Sequence, residues 1–165
     1  MGFQRNATYQ RWLVAILIVA AIWLGMLLGV SFLATPVKFL APSLSLPVAL
    51  DVGRHTFAIF SKVEWLLSAA LLVVVLAGDR AWACVSAMIA AALIVVTEAI
   101  WLLPLLDQRV GLIIAGEVPE PSHLHNLYIV FELAKLLALS LVVLFAARKL
   151  SGSLTSPYSM TPEER

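Results

Sequence analysis

The sequence predicts an all-α integral membrane protein, a four-helix bundle with both termini in the cytoplasm. Three observations predict this fold class. Charged residues make up 13% of the chain and hydrophobic residues 62%, whereas soluble domains carry roughly 25% charged residues. The mean hydropathy is +0.98. Four apolar stretches also reach the roughly 20 residues that a membrane-spanning helix requires.

Turn-forming residues separate the four predicted helices, which we place at about residues 12–35, 54–77, 81–103 and 126–147. Pro36 and Pro104 are predicted to end the first and third helices, because the residue before a proline disfavours the helical conformation. Residues 78–80 predict a tight turn between the second and third helices. Residues 1–150 thus form one four-span transmembrane domain, and the polar residues 151–165 are expected to be a disordered tail.

The distribution of Lys and Arg predicts the orientation, since cytoplasmic segments carry an excess of them. Six lie on the side of the termini: Arg5, Arg11, Arg80, Arg148, Lys149 and Arg165. Three lie on the opposite side: Lys38, Arg54 and Arg109. The termini are therefore expected in the cytoplasm and the two longer loops outside, in a bacterial inner (plasma) membrane.

Several ionisable residues lie inside the predicted helices: Lys62, Glu64, Glu98, Glu132 and Lys135. A charge at the bilayer centre costs about 2.5–3.5 kcal/mol on insertion scales, so such residues face the protein interior and have partners. Measured along the helices, the three glutamates fall about 9–15 Å from the outer helix ends. They predict an outward-facing polar cup above an apolar inner half.

The fourth helix supplies one continuous polar stripe, because His125, Tyr128, Glu132 and Lys135 follow a 3-4-3 spacing that puts them on one face. With polar residues of the other helices it forms the predicted ligand-binding wall: Arg54, His55, Lys62, Glu64, Glu98, Tyr128, Glu132 and Lys135. We expect this wall to bind a small cation, a metal ion or a polar ligand for transport or transfer. A structural alternative stays open, in which Glu132 pairs with Lys135 or Lys62, and Glu64 with Arg54, to fix helix register.

Three histidines lie at the predicted outer mouth. His55, His123 and His125, together with Glu132, offer ligand types that suit a divalent or copper ion. Di-iron sites in four-helix bundles use Glu-x-x-His pairs, and the sequence has none. Haem held by His55 and His125 is a further alternative, so a membrane redox protein stays open.

The sequence contains no motif that indicates an enzyme: no Ser-His-Asp pattern, no Gly-rich phosphate loop and no Cys-x-x-Cys. Its net charge is +1, and no broad basic face indicates nucleic-acid binding. A second hypothesis is a non-catalytic accessory subunit or assembly factor of a larger membrane complex, with Gly25 and Gly29 as a docking surface. The expected partners are membrane lipid and either further copies of the chain or such a complex.

Four segments resemble a known family. They are "GRHTFAIFSK" (53–62), "WLGMLLGVSFLATP" (23–36), "EAIWLLPLLDQR" (98–109) and "HNLYIVFELAKL" (125–136). They resemble the transmembrane protein 205-like family, small four-helix membrane proteins whose bacterial relatives form a domain of unknown function. The resemblance implies a four-span protein. The eukaryotic member of the family is associated with resistance to platinum drugs, so the resemblance also points to metal or drug handling. The matched residues are Arg54, His55, Thr56, Phe57, Ser61, Lys62 and Trp101, whereas Glu64, Glu132 and Lys135 have no match.

Overall fold

The chain folds into four long helical rods in a computed structural model that describes residues 2–78 and 81–155. The elements are α1 (Gly2–Leu27), a first π-helical segment (Leu28–Ala34), α2 (Thr35–Val37), a 3-10 turn (Lys38–Leu40), α3 (Leu46–Gly78), α4 (Trp82–Thr97), a second π-helical segment (Glu98–Leu102), α5 (Leu103–Ile114) and α6 (Leu124–Thr155). The rods that are long and apolar enough to cross a membrane are the first span (Ala7–Lys38), the second (Leu46–Gly78), the third (Trp82–Ile114) and the fourth (Leu124–Ser153). For the described residues, the prediction of an all-helical protein with four helices able to span a membrane is confirmed.

The rods run past both prolines that the sequence predicts as helix ends. Pro36 and Pro104 each follow a π-helical segment and lie at the start of the next α-helix. Proline lacks an N–H and its ring crowds the carbonyl four residues earlier. A wider π turn is one of the ways in which a helix absorbs such a disruption without ending. The third span therefore reaches Ile114 instead of ending near residue 103.

The four spans form a ring in chain order. The first packs against the second and fourth, and the third also packs against the second and fourth. The first span begins and the fourth span ends at the same end of the bundle, where the Gln10 side-chain amide donates hydrogen bonds to the carbonyl and the hydroxyl of Ser153, each at 3.4 Å. We call this the terminal end. The opposite end, with the connections 41–45 and 115–123, is the loop end.

The fourth span continues into the segment that the sequence predicts as a tail. Helix α6 ends at Thr155, five residues after the predicted boundary at 150. The rest of the predicted tail, residues 156–165, lies outside the described residues, as do residues 79 and 80 of the predicted turn.

The glycine that brings two helices together is Gly78. A Cβ added there would overlap the Trp12 side chain, so only glycine allows the first and second spans to approach this closely. At Gly25 and Gly29 no atom lies within 4 Å of an added Cβ. Within the described chain this predicted pair therefore makes no close helix contact.

The half of the bundle nearer the terminal end is a packed apolar core. Its buried residues come from all four spans: Ile16, Ala20, Trp23, Leu71, Val75, Cys84, Met88, Ala91, Val95, Ala138, Leu139, Val142 and Ala146. The outer surface is also apolar, and Leu66, Ile100 and Leu137 are each more than half exposed. An apolar exterior at this height suits contact with lipid chains. The buried charges lie on the loop-end side of this core.

Candidate functional site

Lys135 lies at the centre of a buried group of charged side chains. Its Nζ is 2.7 Å from Glu64 Oε1, 2.6 Å from Glu98 Oε2 and 2.8 Å from Glu132 Oε1. Lys135 is 0% exposed, and none of the three glutamates exceeds 3%. We call these four residues the Glu–Lys cluster. It joins the second, third and fourth spans through one ammonium group.

Helix geometry positions two members of the cluster. Glu132 and Lys135 are three residues apart in α6, and this spacing places both side chains on one face. Glu98 is the first residue of the second π-helical segment, and π turns inside helices are frequent at functional sites. It lies 16 residues from either end of the third span, about 24 Å each way. Glu98 is therefore at mid-height in its rod, deeper than predicted, because this rod continues through Pro104.

The first span completes the site with Trp23. Its indole Nε1 donates a hydrogen bond of 3.1 Å to Glu64 Oε1, the oxygen that also contacts Lys135. Trp23 is fully buried, and a buried indole N–H needs an acceptor. The predicted wall omits Trp23. The signal that could have identified it is an indole in an apolar helix at the depth of the charged residues of the other spans.

The cluster contains more negative than positive charge. Three carboxylates and one ammonium carry a formal charge of −2 when all four are ionised. Glu98 Oε1 and both oxygens of Glu132 have no hydrogen bond of standard geometry, although Glu132 Oε1 lies 2.8 Å from Lys135 Nζ. Uncompensated charge away from water is costly. The cluster therefore favours uptake of further positive charge.

The three glutamates could also face a metal ion. They form the one group of three or more His, Cys, Asp or Glu donors within 4.8 Å of one another in residues 2–78 and 81–155. Carboxylate oxygens suit hard cations. The predicted metal set of His55, His123, His125 and Glu132 is not brought together, since the three histidines are exposed and Glu132 is buried in the cluster.

A cavity of about 520 Å³ lies towards the loop end, lined mainly by the second and third spans and also by the loop-end residues of the first and fourth. Its polar and charged lining consists of Thr35, Lys38, Arg54, Ser61, Lys62, Asp107, His125 and Tyr128. Of the predicted wall, Arg54, Lys62 and Tyr128 line this cavity, whereas His55 and the four members of the Glu–Lys cluster do not. The structure thus divides the predicted cup into a cavity and a buried cluster.

Tyr128 lies between the cavity and the cluster. It is 6% exposed and lines the cavity. It also interacts with Glu132, Glu98 and Ser31, and Ser31 Oγ is another buried oxygen without a standard hydrogen bond. Its ring packs edge-on against Phe57 with centroids 5.1 Å apart. Tyr128 therefore connects the cavity with the Glu–Lys cluster.

Arg54 has a different partner from the predicted one. Its Nε is 2.7 Å from Asp51 Oδ1, and its Nη1 is 3.9 Å from Asp107 Oδ1 in the third span. The predicted pair with Glu64 does not form, because ten residues along one helix separate the two by about 15 Å. His55 is exposed, and its Nδ1 is 2.9 Å from the carbonyl oxygen of Asp51. Arg54 therefore links two spans at the loop end.

Comparisons with protein-family models, with curated proteins and with solved structures found no match to this chain. The resemblance to the transmembrane protein 205-like family stays a prediction.

Proposed function

We propose that this chain is an integral membrane protein that binds and releases a small cation at the Glu–Lys cluster, with the proton as its main occupant. The supporting observation is the imbalance of three buried carboxylates around one buried ammonium. Buried carboxylates that crowd one site cannot all ionise, so they share protons. Acidic residues with such partners inside membrane spans are typical of proton and ion pathways.

A proton fits this site better than a divalent metal does. Lys135 Nζ already lies within 2.8 Å of one oxygen of each glutamate, where a metal bound by all three would have to sit. A divalent ion would have to displace the ammonium or share the site with it at the cost of repulsion. A proton adds positive charge to one carboxylate oxygen and needs no such space. The oxygens of Glu98 and Glu132 that lack hydrogen bonds are its candidate positions.

Exchange with the loop end passes Tyr128. This residue borders the cavity and interacts with Glu132. A phenolic hydroxyl both donates and accepts hydrogen bonds, so Tyr128 can relay a proton between a cavity water and the carboxylate. Towards the terminal end, Ser68 is the buried polar residue of the described chain beyond the cluster, one turn from Glu64, and the packed apolar core follows it.

The proposal predicts a protonated carboxylic acid inside the protein at neutral pH. Infrared difference spectra of the purified protein should contain a carboxylic C=O band that is lost in Glu132→Gln or Glu98→Gln. Glu117→Gln is the control, because Glu117 is an exposed carboxylate outside the four spans. A neutral-pH spectrum without this band, or a band equally strong in all three variants, would refute proton binding at the cluster.

Titration with salt identifies the occupant in the same experiment. If Na⁺ or K⁺ at constant pH removes the C=O band, then that ion competes with the proton and the site also binds monovalent metal ions. If the band is insensitive to both ions, then the proton is the occupant under these conditions. Reconstitution into vesicles containing a pH-sensitive dye then measures whether the exchange crosses the membrane.

We also propose that the terminal end faces the cytoplasm of a bacterial inner membrane and the loop end faces outward. The support is the excess of Lys and Arg near the termini. In intact cells, an impermeant thiol reagent should label Val118→Cys, whose parent side chain is 97% exposed at the loop end. Gly152→Cys should be labelled only after permeabilisation, and the buried Cys84 gives little background. The opposite labelling pattern would mean that the terminal end faces outward.

The hypotheses of an accessory subunit and of a haem-binding redox protein stay predictions.

A further inference from the structure

We infer that the loop-end cavity binds an amphiphilic anion, an acidic head group with an apolar chain, and that in the membrane its occupant is an anionic phospholipid. This inference does not rest on the proposed proton exchange, since no member of the Glu–Lys cluster lines the cavity. Its support is the combination of apolar walls with two basic side chains that lack an acidic partner.

The two basic side chains are Lys38 and Lys62. Both line the cavity, and neither forms an ion pair with a carboxylate of residues 2–78 and 81–155. The third strong cation of the lining, Arg54, is already paired with Asp51 and is near Asp107. Two positive charges of the cavity therefore remain available for an anionic group.

The position of each lysine fits a head group near the loop end. Lys38 Nζ lies against Gly53, where a side chain would overlap it, and 5.8 Å from the centre of the Phe57 ring. Lys62 lies nine residues deeper than Gly53 in the second span, about 14 Å along the axis. Lysines in membranes extend their amines towards the interface. Both amines can thus approach a group held at the cavity mouth.

The remaining walls suit an acyl chain. Phe39, Phe57, Trp65 and Leu103 line the cavity. Trp65 belongs to the second span and is 45% exposed, so the cavity wall continues onto the lipid-facing surface of the bundle. An occupant can therefore keep its chain in the bilayer while its head meets the lysines. The negative cluster lies beyond Tyr128 and does not form part of this wall.

Trp65 provides the readout, because brominated acyl chains quench nearby indole fluorescence. We would place the protein in phosphatidylcholine nanodiscs that contain brominated phosphatidylglycerol, or brominated phosphatidylcholine for comparison. The contribution of Trp65 is the difference between wild type and Trp65→Phe. Brominated phosphatidylglycerol should quench Trp65 more strongly than brominated phosphatidylcholine does. Its relative binding constant should fall about fivefold in Lys62→Gln, as expected for one lysine at an anionic lipid.

The matched control is Arg109→Gln, which removes a positive charge at the loop end outside the cavity lining and should leave the constant unchanged. Lys38→Gln gives an independent second measurement if Lys62→Gln does not fold, as judged by circular dichroism. Equal quenching by the two lipids, or equal losses in Lys62→Gln and Arg109→Gln, would overturn the inference. If the two phospholipids quench equally and a brominated fatty acid quenches Trp65 strongly, the phospholipid assignment is overturned and the anion is a free fatty acid.

Discussion

Replacing Lys135 by Met is expected to destabilise the bundle by about 3–5 kcal/mol, the range found when one partner of a buried ion pair is removed. The reason is that Lys135 is the cation in contact with all three carboxylates of the cluster. Methionine fills similar space but leaves Glu64, Glu98 and Glu132 without it. The free energy of unfolding can be measured by SDS-induced unfolding of the purified protein in micelles, followed by circular dichroism.

The matched control for this variant is Lys62→Met, because Lys62 is exposed and has no ion pair with a described carboxylate. Its effect should stay within about 0.5 kcal/mol, as is usual for surface substitutions. Glu64→Gln together with Glu98→Gln in the Lys135→Met background should restore part of the loss, since fewer carboxylates then need a cation. If Lys135→Met and Lys62→Met are equally stable, then the cluster is not held together by its ammonium.

Replacing Trp23 by Ala is expected to cost the next largest amount of stability. Removal of a buried Trp side chain costs about 3–5 kcal/mol in soluble proteins. A value near the lower limit is expected here, because the unfolded reference of a membrane helix remains in lipid. The substitution leaves a void in the core cluster to which Trp23 belongs and removes the N–H donor to Glu64. The same unfolding experiment measures it.

Two further variants separate the void from the hydrogen bond. Trp23→Phe keeps most of the ring volume and loses the N–H donor, so it should cost about 1.5–3 kcal/mol, the value of a hydrogen bond to a charged group. Trp82→Ala removes a tryptophan that is 82% exposed and should change stability by less than about 0.5 kcal/mol. A Trp23→Phe variant as stable as wild type would mean that the indole N–H contributes nothing to holding Glu64.

The fold could be predicted from hydropathy because each rod contains an apolar stretch of sufficient length. The ends of the first and third spans could not be predicted in this way. Pro36 and Pro104 normally end a helix, and here a π turn precedes each of them. Nothing in single-residue preferences identifies these π turns. The depth predicted for Glu98 was measured from Pro104, so the error in the helix end became an error in depth.

The candidate site was predictable only along each helix. The spacing of Glu132 and Lys135 places them on one face whatever the neighbours are. Contact of Lys135 with Glu64 depends on how the second and fourth spans are rotated about their own axes, and a single sequence does not encode that rotation in a readable pattern. Arg54 illustrates the same limit: its partner Asp51 is local, whereas Asp107 comes from another span.

The Glu–Lys cluster also has a consequence for how the chain is inserted into a membrane. Glu64 and Glu98 precede Lys135 along the chain, so their spans are synthesised before their counter-charge exists. An acidic residue at a helix centre costs about 2.5–3.5 kcal/mol during insertion. In the fourth span Glu132 and Lys135 can neutralise each other within one helix. Until this helix arrives, Glu64 and Glu98 lack the ammonium group that they contact in the folded bundle, so we expect the first three spans alone to be less stable than the complete bundle.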